Sequence, residues 1–224
     1  MKRLLEEGLK RTGLRLGEDA CQRLELFLSE MLRWNKRINL TAIVDPEEAT
    51  EKHLLDSLLV LPFLEGGRSL LDMGSGAGLP GIPLKIAMPG LDVVSVDSVG
   101  KKIQFQRHIK RLLTLDSFSP CHVRLECLAS KIRRDAGFDL VTARAFSSLE
   151  EIGRLAAPWV SRAGHVLAMK GPEGEGEARV AEAELARLGL AVSAIHRYRL
   201  PFSNAERQLV VLSKTGGTVP PDAV

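Results

Sequence analysis

The stretch LLDMGSGAGLPGIPLKIA, residues 70–87, holds four glycines and two prolines between an apolar run and a helix-like one. Gly74, Gly76 and Gly78 can adopt backbone angles that are closed to other residues, and they leave no Cβ in the path of a ligand. In a doubly wound sheet, ligands bind beyond the carboxyl ends of the strands. The stretch therefore predicts that a strand ends near Met73 and that a ligand approaches the main chain directly after it.

The sequence from Gly66 onward alternates between short apolar runs and helical patterns. This alternation predicts a doubly wound, mostly parallel α/β sheet with helices on both faces. The predicted strands are Ser69–Met73, Asp92–Asp97, His122–Cys127, Phe138–Arg144 and Gly164–Met169. The predicted helices are Pro83–Met88, Lys101–Leu115, Leu149–Val160 and Gly176–Leu188. Two last strands without a helix between them, Ala191–Arg199 and Gln208–Ser213, are expected to be antiparallel at a sheet edge.

The residues before the sheet have a helical texture. Their apolar side chains recur at helical spacing, and Asp45 can cap a helix that starts at Pro46. The chain therefore divides into an N-terminal helical extension, a sheet domain and a flexible tail rich in proline and glycine. These parts are expected to span residues 1–64, 65–215 and 216–224.

Composition limits the class of protein. The 224 residues carry a net charge of +3, a mild basic excess that is compatible with a nucleic-acid partner. The three cysteines lack Cys-x-x-Cys spacing, which indicates free thiols and no metal site. The N-terminus has no apolar signal segment, and the most apolar stretch, Leu54–Leu64, is too short to span a bilayer. We expect a cytoplasmic monomer without a membrane partner.

The glycine stretch fits two cofactor classes. Residues 76–81 match the G-x-G-x-x-G fingerprint of dinucleotide sites. The overlapping pattern starts with Asp72 two residues before the first glycine, which is typical of S-adenosylmethionine (SAM) sites. A carboxylate repels a pyrophosphate but suits the ammonium and sulfonium of SAM, and Pro80 and Pro83 remove N–H donors that a pyrophosphate needs. The pattern favours SAM, with a nicotinamide dinucleotide as the alternative.

A second acidic residue follows at the expected distance. Asp97 ends the second predicted strand, and its two carboxylate oxygens suit the two hydroxyl donors of a ribose. We therefore place Asp97 beside Asp72 and Gly76 in the cofactor site.

The sequence also bears on the methyl acceptor. The loop after the fourth strand reads Arg-Ala-Phe-Ser at residues 144–147, without the Asn/Asp-Pro-Pro-aromatic pattern of many amino-group methyltransferases. Neither Cys21 nor Cys127 lies on the loop from which a cytosine methyltransferase attacks. Guanine N7 already holds a free lone pair and needs no general base, so no catalytic residue is expected. Basic residues favour a nucleic-acid acceptor; they are Arg33, Lys36, Arg37, Lys101, Lys102, Arg107, Lys110, Arg111, Lys131, Arg133 and Arg134.

Seven motifs occur in an order that resembles one known family. They read WNKRINLTAI (34–43), KHLLDSL (52–58), LLDMGSGAGLPGIPL (70–84), VDSVGKK (96–102), TARAFSSLEE (142–151), LAMKG (167–171) and ERQLVVL (206–212). The chain resembles the RsmG (GidB) family of bacterial 16S ribosomal RNA guanine-N7 methyltransferases over nearly its whole length. The resemblance implies a Rossmann-like class I fold and SAM-dependent transfer to N7 of one guanosine in 16S rRNA. It makes 16S rRNA or the small ribosomal subunit the partner.

The resemblance also implies cofactor residues. Gly74 and Leu79 match cofactor positions in the loop, and Arg144 matches the arginine that ends the fourth strand. Ala129 and Ser130 stand where the family usually has Ala-Glu, so Ser130 would lack the charge of that glutamate. Arg144 is expected to hold the SAM carboxylate or to donate to the acceptor.

Further matching positions lie outside the cofactor loop. Lys170 and Arg207 match basic family positions and are expected to contact RNA. His53 and Asp56 match as well, and they could tie the helical extension to the core.

Three other functions stay open at this stage. The first is a SAM-dependent methyltransferase with another RNA or a small molecule as acceptor. The second is a nicotinamide-dependent oxidoreductase. The third is a non-catalytic RNA-binding or division-associated protein that has kept the fold.

Overall fold

The computed structural model describes residues 1–216, so most of the predicted tail lies outside the described residues. Seven strands form one sheet in the order β3-β2-β1-β4-β5-β7-β6. Strands β1 to β5 pair in parallel, and β7 runs antiparallel to both β5 and β6. Their bounds are β1 Ser69–Met73, β2 Asp92–Asp97, β3 Phe118–His122, β4 Phe138–Arg144, β5 Val160–Lys170, β6 Leu190–Arg199 and β7 Glu206–Lys214. The predicted mostly parallel sheet is confirmed.

Eight α-helices flank or precede the sheet within the described residues. They are α1 Lys2–Arg11, α2 Glu18–Ile38, α3 Pro46–Ala49, α4 Asp56–Leu58, α5 Gly81–Ala87, α6 Gly100–Leu112, α7 Leu149–Ala156 and α8 Gly174–Arg187. A π-helical turn, Thr50–Leu55, joins α3 to α4, and 3₁₀ turns cover Leu61–Leu64 and Leu125–Ser130. As predicted, the Asp45 side chain caps α3 by accepting from the amides of Glu47 and Glu48.

The sheet separates two apolar clusters. One face is covered by α2, α5 and α6 together with the N-terminal helices, and the other by α7 and α8. Leu5 of α1 and Phe27 of α2 belong to the same cluster as Leu70 of β1 and Phe105 of α6. The N-terminal helical extension is therefore built into the core of the sheet domain. No helix among residues 1–216 is long and apolar enough to cross a membrane.

The third strand is not where the sequence predicts it. The predicted strand was His122–Cys127, whereas β3 spans Phe118–His122 and pairs with β2 from Val93 to Asp97. β3 is an edge strand, and only there can a strand accept Pro120, which has no N–H to donate to a ladder. Leu125, which belongs to the predicted strand, instead lies with Leu128 on the buried side of the Leu125–Ser130 turn. Cys127 is exposed on that turn.

Candidate functional site

The glycine loop joins β1 to α5 at the carboxyl edge of the sheet. Gly74, Gly76 and Gly78 have φ angles of +62°, +58° and +91°, in the left-handed region that favours glycine. A Cβ on Gly74 would collide with the Phe146 ring, and one on Gly78 would collide with Ile82. Gly74 is thus required by both backbone angle and space, whereas at Gly78 the backbone angle requires glycine and the flexible end of Ile82 would have to move.

Asp72 lies beneath this loop and is fully buried. Its carboxylate accepts from the Gly81 amide (3.0 Å) and from the Thr142 hydroxyl (3.2 Å). A Cβ on Gly81 would lie 2.6 Å from Asp72 Oδ2, so the helix can begin this close only at a glycine. Burial raises the pKa of Asp72 to about 7. The observed contacts fix the start of α5, while direct contact of Asp72 with SAM stays a prediction.

The amino end of α5 has no free donors for a pyrophosphate. Gly81 donates to Asp72, Ile82 donates to the Gly78 carbonyl (2.7 Å), and Pro83 has no N–H. A dinucleotide pyrophosphate binds where such N–H groups are unpaired. The geometry therefore disfavours the dinucleotide alternative and agrees with a cofactor that carries no phosphate.

Gln106 supports the loop from α6 and was missed in the sequence. It is fully buried, and its amide donates to the Ser75 hydroxyl and to the Gly76 carbonyl, both at 2.8 Å. The signal that could have found it is a polar residue on the buried face of an amphipathic helix, beside Phe105 and Ile109.

Asp97 holds the other side of the loop at the end of β2. Its oxygens accept from the amides of Gly76 (2.8 Å) and Val99 (2.7 Å). Each carboxylate oxygen has a second lone pair, which leaves capacity for ribose hydroxyls. Leu79, by contrast, is buried in the apolar cluster beneath the loop.

A cleft of about 480 Å³ opens at this edge, and we call it the first cleft. It is lined by Gly74, Val96, Asp97, Ser98, Val99, Lys102, Val123, Arg124, Leu125, Glu126, Ala145, Phe146, Glu151 and Leu155. The main chain at Gly74, which has no Cβ, borders this cleft together with the carboxylates of Asp97 and Glu126, which can accept from hydroxyl and amino groups. These acceptors fit an adenosine group, because the ribose hydroxyls and the adenine amino group both donate.

The structure does not bring Ala129 and Ser130 to the first cleft. Both are exposed at the end of the 3₁₀ turn, and the Ser130 hydroxyl donates to the Cys127 carbonyl (2.7 Å). Leu125 and Glu126 line the cleft in their place. The same shift that misplaced the third strand misplaced this pair, since β3 begins four residues earlier than predicted. The chain therefore does present a glutamate after its third strand.

Arg144 lines a second cleft, of about 290 Å³, on the other side of Ala145. The second cleft is lined by Ile43, Lys52, His53, Asp56, Arg144, Ala145, Met169, Lys170, Gly171 and Arg207. Arg144 donates to the Lys52 carbonyl (2.9 Å) and lies 3.5 Å from Asp56 Oδ2. Ala145 belongs to both clefts and has a φ of +47°, a strained angle for a residue with a side chain. The two clefts meet at this residue.

The two residues predicted to contact RNA also line the second cleft. Lys170 forms an ion pair with Glu177 (2.7 Å) and donates to the Ser147 carbonyl. Arg207 Nε lies 3.4 Å from Asp56 Oδ1. Arg144, Lys170 and Arg207 thus come together from three strands, although RNA contact by Lys170 and Arg207 stays a prediction.

His53 and Asp56 connect the helical extension to this cleft. His53 Nε2 is bonded to the Thr41 hydroxyl (2.8 Å), and burial lowers the pKa of His53 to about 4, which keeps its ring neutral. Burial raises the pKa of Asp56, and Arg144 and Arg207 oppose that rise. Within residues 1–216, no three His, Cys, Asp or Glu side chains are grouped closely enough to hold a metal ion.

Comparison with known proteins places the site in context. The model of the GidB family, described as rRNA small subunit methyltransferase G, matches residues 20–210. The ribosomal RNA small subunit methyltransferase G of Syntrophotalea carbinolica is 49% identical over 97% of this chain and 100% of its own. That of Geobacter sp. is 42% identical over 95% of this chain and 97% of its own.

Solved structures agree on the fold. M. jannaschii TYW2, solved in complex with AdoMet (SAM), matches with a TM-score of 0.55 and 12% identity over 72% of this chain and 74% of its own. The ribosomal protein L11 methylase of Lactobacillus delbrueckii subsp. bulgaricus matches with a TM-score of 0.54 and 15% identity, over 73% and 78% of the two chains. The fold is that of class I SAM-dependent methyltransferases.

Proposed function

The chain belongs to the rRNA small subunit methyltransferase G family, and we propose that it transfers the methyl group of SAM to N7 of one guanine in 16S rRNA. The observation that carries the proposal is the pair of clefts that meet at Ala145. One cleft suits adenosine and has no free helix N–H groups for a pyrophosphate. The other is lined by four basic residues: Lys52, Arg144, Lys170 and Arg207.

In the first cleft, the cofactor lies close to the main chain at Gly74. Asp97 accepts from the ribose hydroxyls with the lone pairs that Gly76 and Val99 leave free. Glu126 accepts from the adenine amino group. Asp72 acts through the loop, because its carboxylate sets where Gly81 and α5 begin.

When bound, SAM would supply a methyl carbon on a positively charged sulfur: a nucleophile attacks that carbon, the carbon–sulfur bond breaks, and S-adenosylhomocysteine leaves with the electron pair. The chain has to align the two reactants, and alignment is a large source of rate in such reactions. Guanine N7 attacks with a lone pair that carries no proton, so no general base is required. Arg144 would oppose the reaction if it faced N7, because the ring gains positive charge. We therefore assign Arg144 to O6 or to a phosphate of the acceptor.

The acceptor is 16S rRNA or the small ribosomal subunit, and the reaction takes place in the cytoplasm on a monomeric enzyme. Lys170 and Arg207 line the acceptor side and are the first candidates for RNA contact. Phosphate contacts by such side chains make binding dependent on salt concentration.

Transfer of a labelled methyl group from SAM tests the proposal. The substrate is 16S rRNA, free or in the small subunit, from a strain that lacks its own enzyme of this family. After digestion, the label is expected in N7-methylguanosine at one position. Label in another nucleoside would overturn the acceptor, and calorimetric binding of NAD without binding of SAM would overturn the reaction class.

A further inference from the structure

Three buried polar atoms without hydrogen-bond partners belong to residues that line the second cleft or pair with a residue that lines it. They are Asp56 Oδ1, His53 Nδ1 and the Tyr198 hydroxyl, among eight such atoms in residues 1–216. Asp56 and His53 line the second cleft, and Tyr198 is the cross-strand neighbour of Arg207 in the β6–β7 pair. Native proteins rarely leave buried polar atoms unpaired. The two that belong to cleft residues, Asp56 Oδ1 and His53 Nδ1, indicate a polar ligand that completes the bonding.

Asp56 is the acceptor in this cluster. Its side chain is 7% exposed and lies between two arginines. Arg144 is held by the Lys52 carbonyl, whereas Arg207 Nε approaches Asp56 Oδ1 to 3.4 Å without forming a hydrogen bond with it. Oδ1 therefore has no hydrogen-bond donor, but it is buried beside Arg207, so a ligand can donate to it only once the Arg207 side chain moves aside.

Guanine has the donors that such a carboxylate requires. Its O6 and N7 accept along one edge, while N1–H and the N2 amino group donate along another. A base that points N7 toward the first cleft turns its donor edge away from the methyl group. An adenine in the same orientation would present an acceptor at N1, which a carboxylate disfavours. Enzymes that modify a base also take it out of the stack into a pocket.

We propose that the second cleft binds the target guanine base and that Asp56 selects it by accepting from N1–H and the N2 amino group. This inference rests on the proposed function and adds the base pocket and the selecting residue. Asp56 comes from the N-terminal helical extension, and Ala145, between the clefts, follows β4. The extension thus supplies the base selectivity, and the sheet domain supplies the cofactor site.

A purely structural role of Asp56 is the alternative, since its carboxylate also balances Arg144 and Arg207. The two roles differ in how they respond to the base. Loss of a structural ion pair lowers activity on every substrate by the same factor. Loss of a base contact lowers activity only on a substrate that makes that contact.

The test compares 16S rRNA carrying guanosine at the target position with the same RNA carrying inosine, which lacks the N2 amino group. Wild-type enzyme is expected to prefer guanosine by about 10-fold or more in kcat/KM, the scale of a hydrogen bond to a charged group. Asp56→Asn is expected to lower activity on guanosine by a similar factor and to reduce the preference to about 2-fold, with SAM affinity unchanged.

Asp92→Asn is the matched control, because Asp92 pairs with Arg134 at the other end of β2 (2.9 Å) and lines neither cleft. It is expected to keep the wild-type preference. Equal wild-type rates on guanosine and inosine would overturn the inference without any variant. So would an Asp56→Asn enzyme that loses activity equally on both RNAs. If wild-type enzyme bound SAM but methylated neither RNA, the proposed function itself would fail.

Discussion

Each of the two clefts that meet at Ala145 has a buried aspartate associated with it: Asp72 lies beneath the loop that borders the first cleft, and Asp56 lines the second. The two aspartates are held in opposite ways. Asp72 accepts from a backbone amide and a hydroxyl of its own domain, and neither donor is charged. Asp56 lies between Arg144 and Arg207, and one of its oxygens has no hydrogen-bond partner. The first cleft is completed by the chain itself, whereas the second is not.

The difference indicates how each side works. A site whose loop is fixed by internal hydrogen bonds is preorganised for a ligand that always has the same shape. A site with unpaired buried groups is completed by the ligand, and so it discriminates between ligands that can and cannot pair with those groups. A cofactor site gains from the first arrangement and an acceptor site from the second.

The largest expected effect is the pH dependence of the free energy of unfolding that results from burying Asp72 among uncharged donors. Because its pKa is raised to about 7, the folded state binds a proton that the unfolded chain has lost between about pH 4 and pH 7. Wild-type stability should therefore fall as pH rises through this range. Asp72→Asn has a neutral side chain at every pH. Its free energy of unfolding should therefore rise relative to that of the wild type by on the order of 3 kcal/mol between pH 4.5 and pH 8. Urea unfolding of both proteins at each pH measures this gain, and a constant difference would refute it.

The next effect concerns the space beside Asp72. Gly81→Ala places a Cβ 2.6 Å from Asp72 Oδ2 and should lower the free energy of unfolding by about 1–3 kcal/mol, with loss of SAM affinity. Gly90→Ala is the control, because no atom lies within 4 Å of the Cβ added there. Thermal unfolding and calorimetry with SAM check both variants. If the two variants had the same stability and the same SAM affinity, the close packing of Asp72 against α5 would be refuted.

A smaller effect distinguishes Glu126 from Ser130. Glu126→Gln should weaken SAM binding by about 1–2 kcal/mol, because the charged acceptor in the first cleft is replaced by a neutral one. Ser130→Ala should leave SAM affinity unchanged, since Ser130 lies outside that cleft and bonds to the Cys127 carbonyl. Calorimetry with SAM decides, and the reverse result would restore Ser130 to the cofactor site.

The smallest effect is expected on the acceptor side. Arg207→Ala should weaken rRNA binding and lower the slope of log affinity against log salt concentration by about one, while SAM affinity stays the same. Arg199→Ala is the control, because Arg199 pairs with Glu206 at the surface and lines neither cleft. Filter binding over a salt series measures the slope. An unchanged slope would exclude a phosphate contact by Arg207.

The sequence predicted what depends on local pattern. The loop from Asp72 to Gly78 needs left-handed backbone angles and positions without a Cβ, and the spacing of its glycines predicts both. The strand that ends in Asp97 follows at the expected distance. These features are contiguous in the chain, so a pattern of residues is enough to place them.

What the sequence did not predict depends on position in the fold. The sequence does not predict β3, because a proline such as Pro120 argues against a strand unless the strand lies at a sheet edge, and the residues of β3 do not indicate that position. The same error hid Glu126. Asp56 and Arg144 are 88 residues apart, and only the packing of the helical extension on the sheet brings them together.

A crystal structure with S-adenosylhomocysteine, the stable product of SAM, would show directly which cleft holds the cofactor. We expect the ribose at Asp97, the adenine near Glu126 and the sulfur on the side of the first cleft that Ala145 shares with the second. Density for the compound in the second cleft, or with its sulfur turned away from Ala145, would refute the assignment of the first cleft to the cofactor and the second to the acceptor.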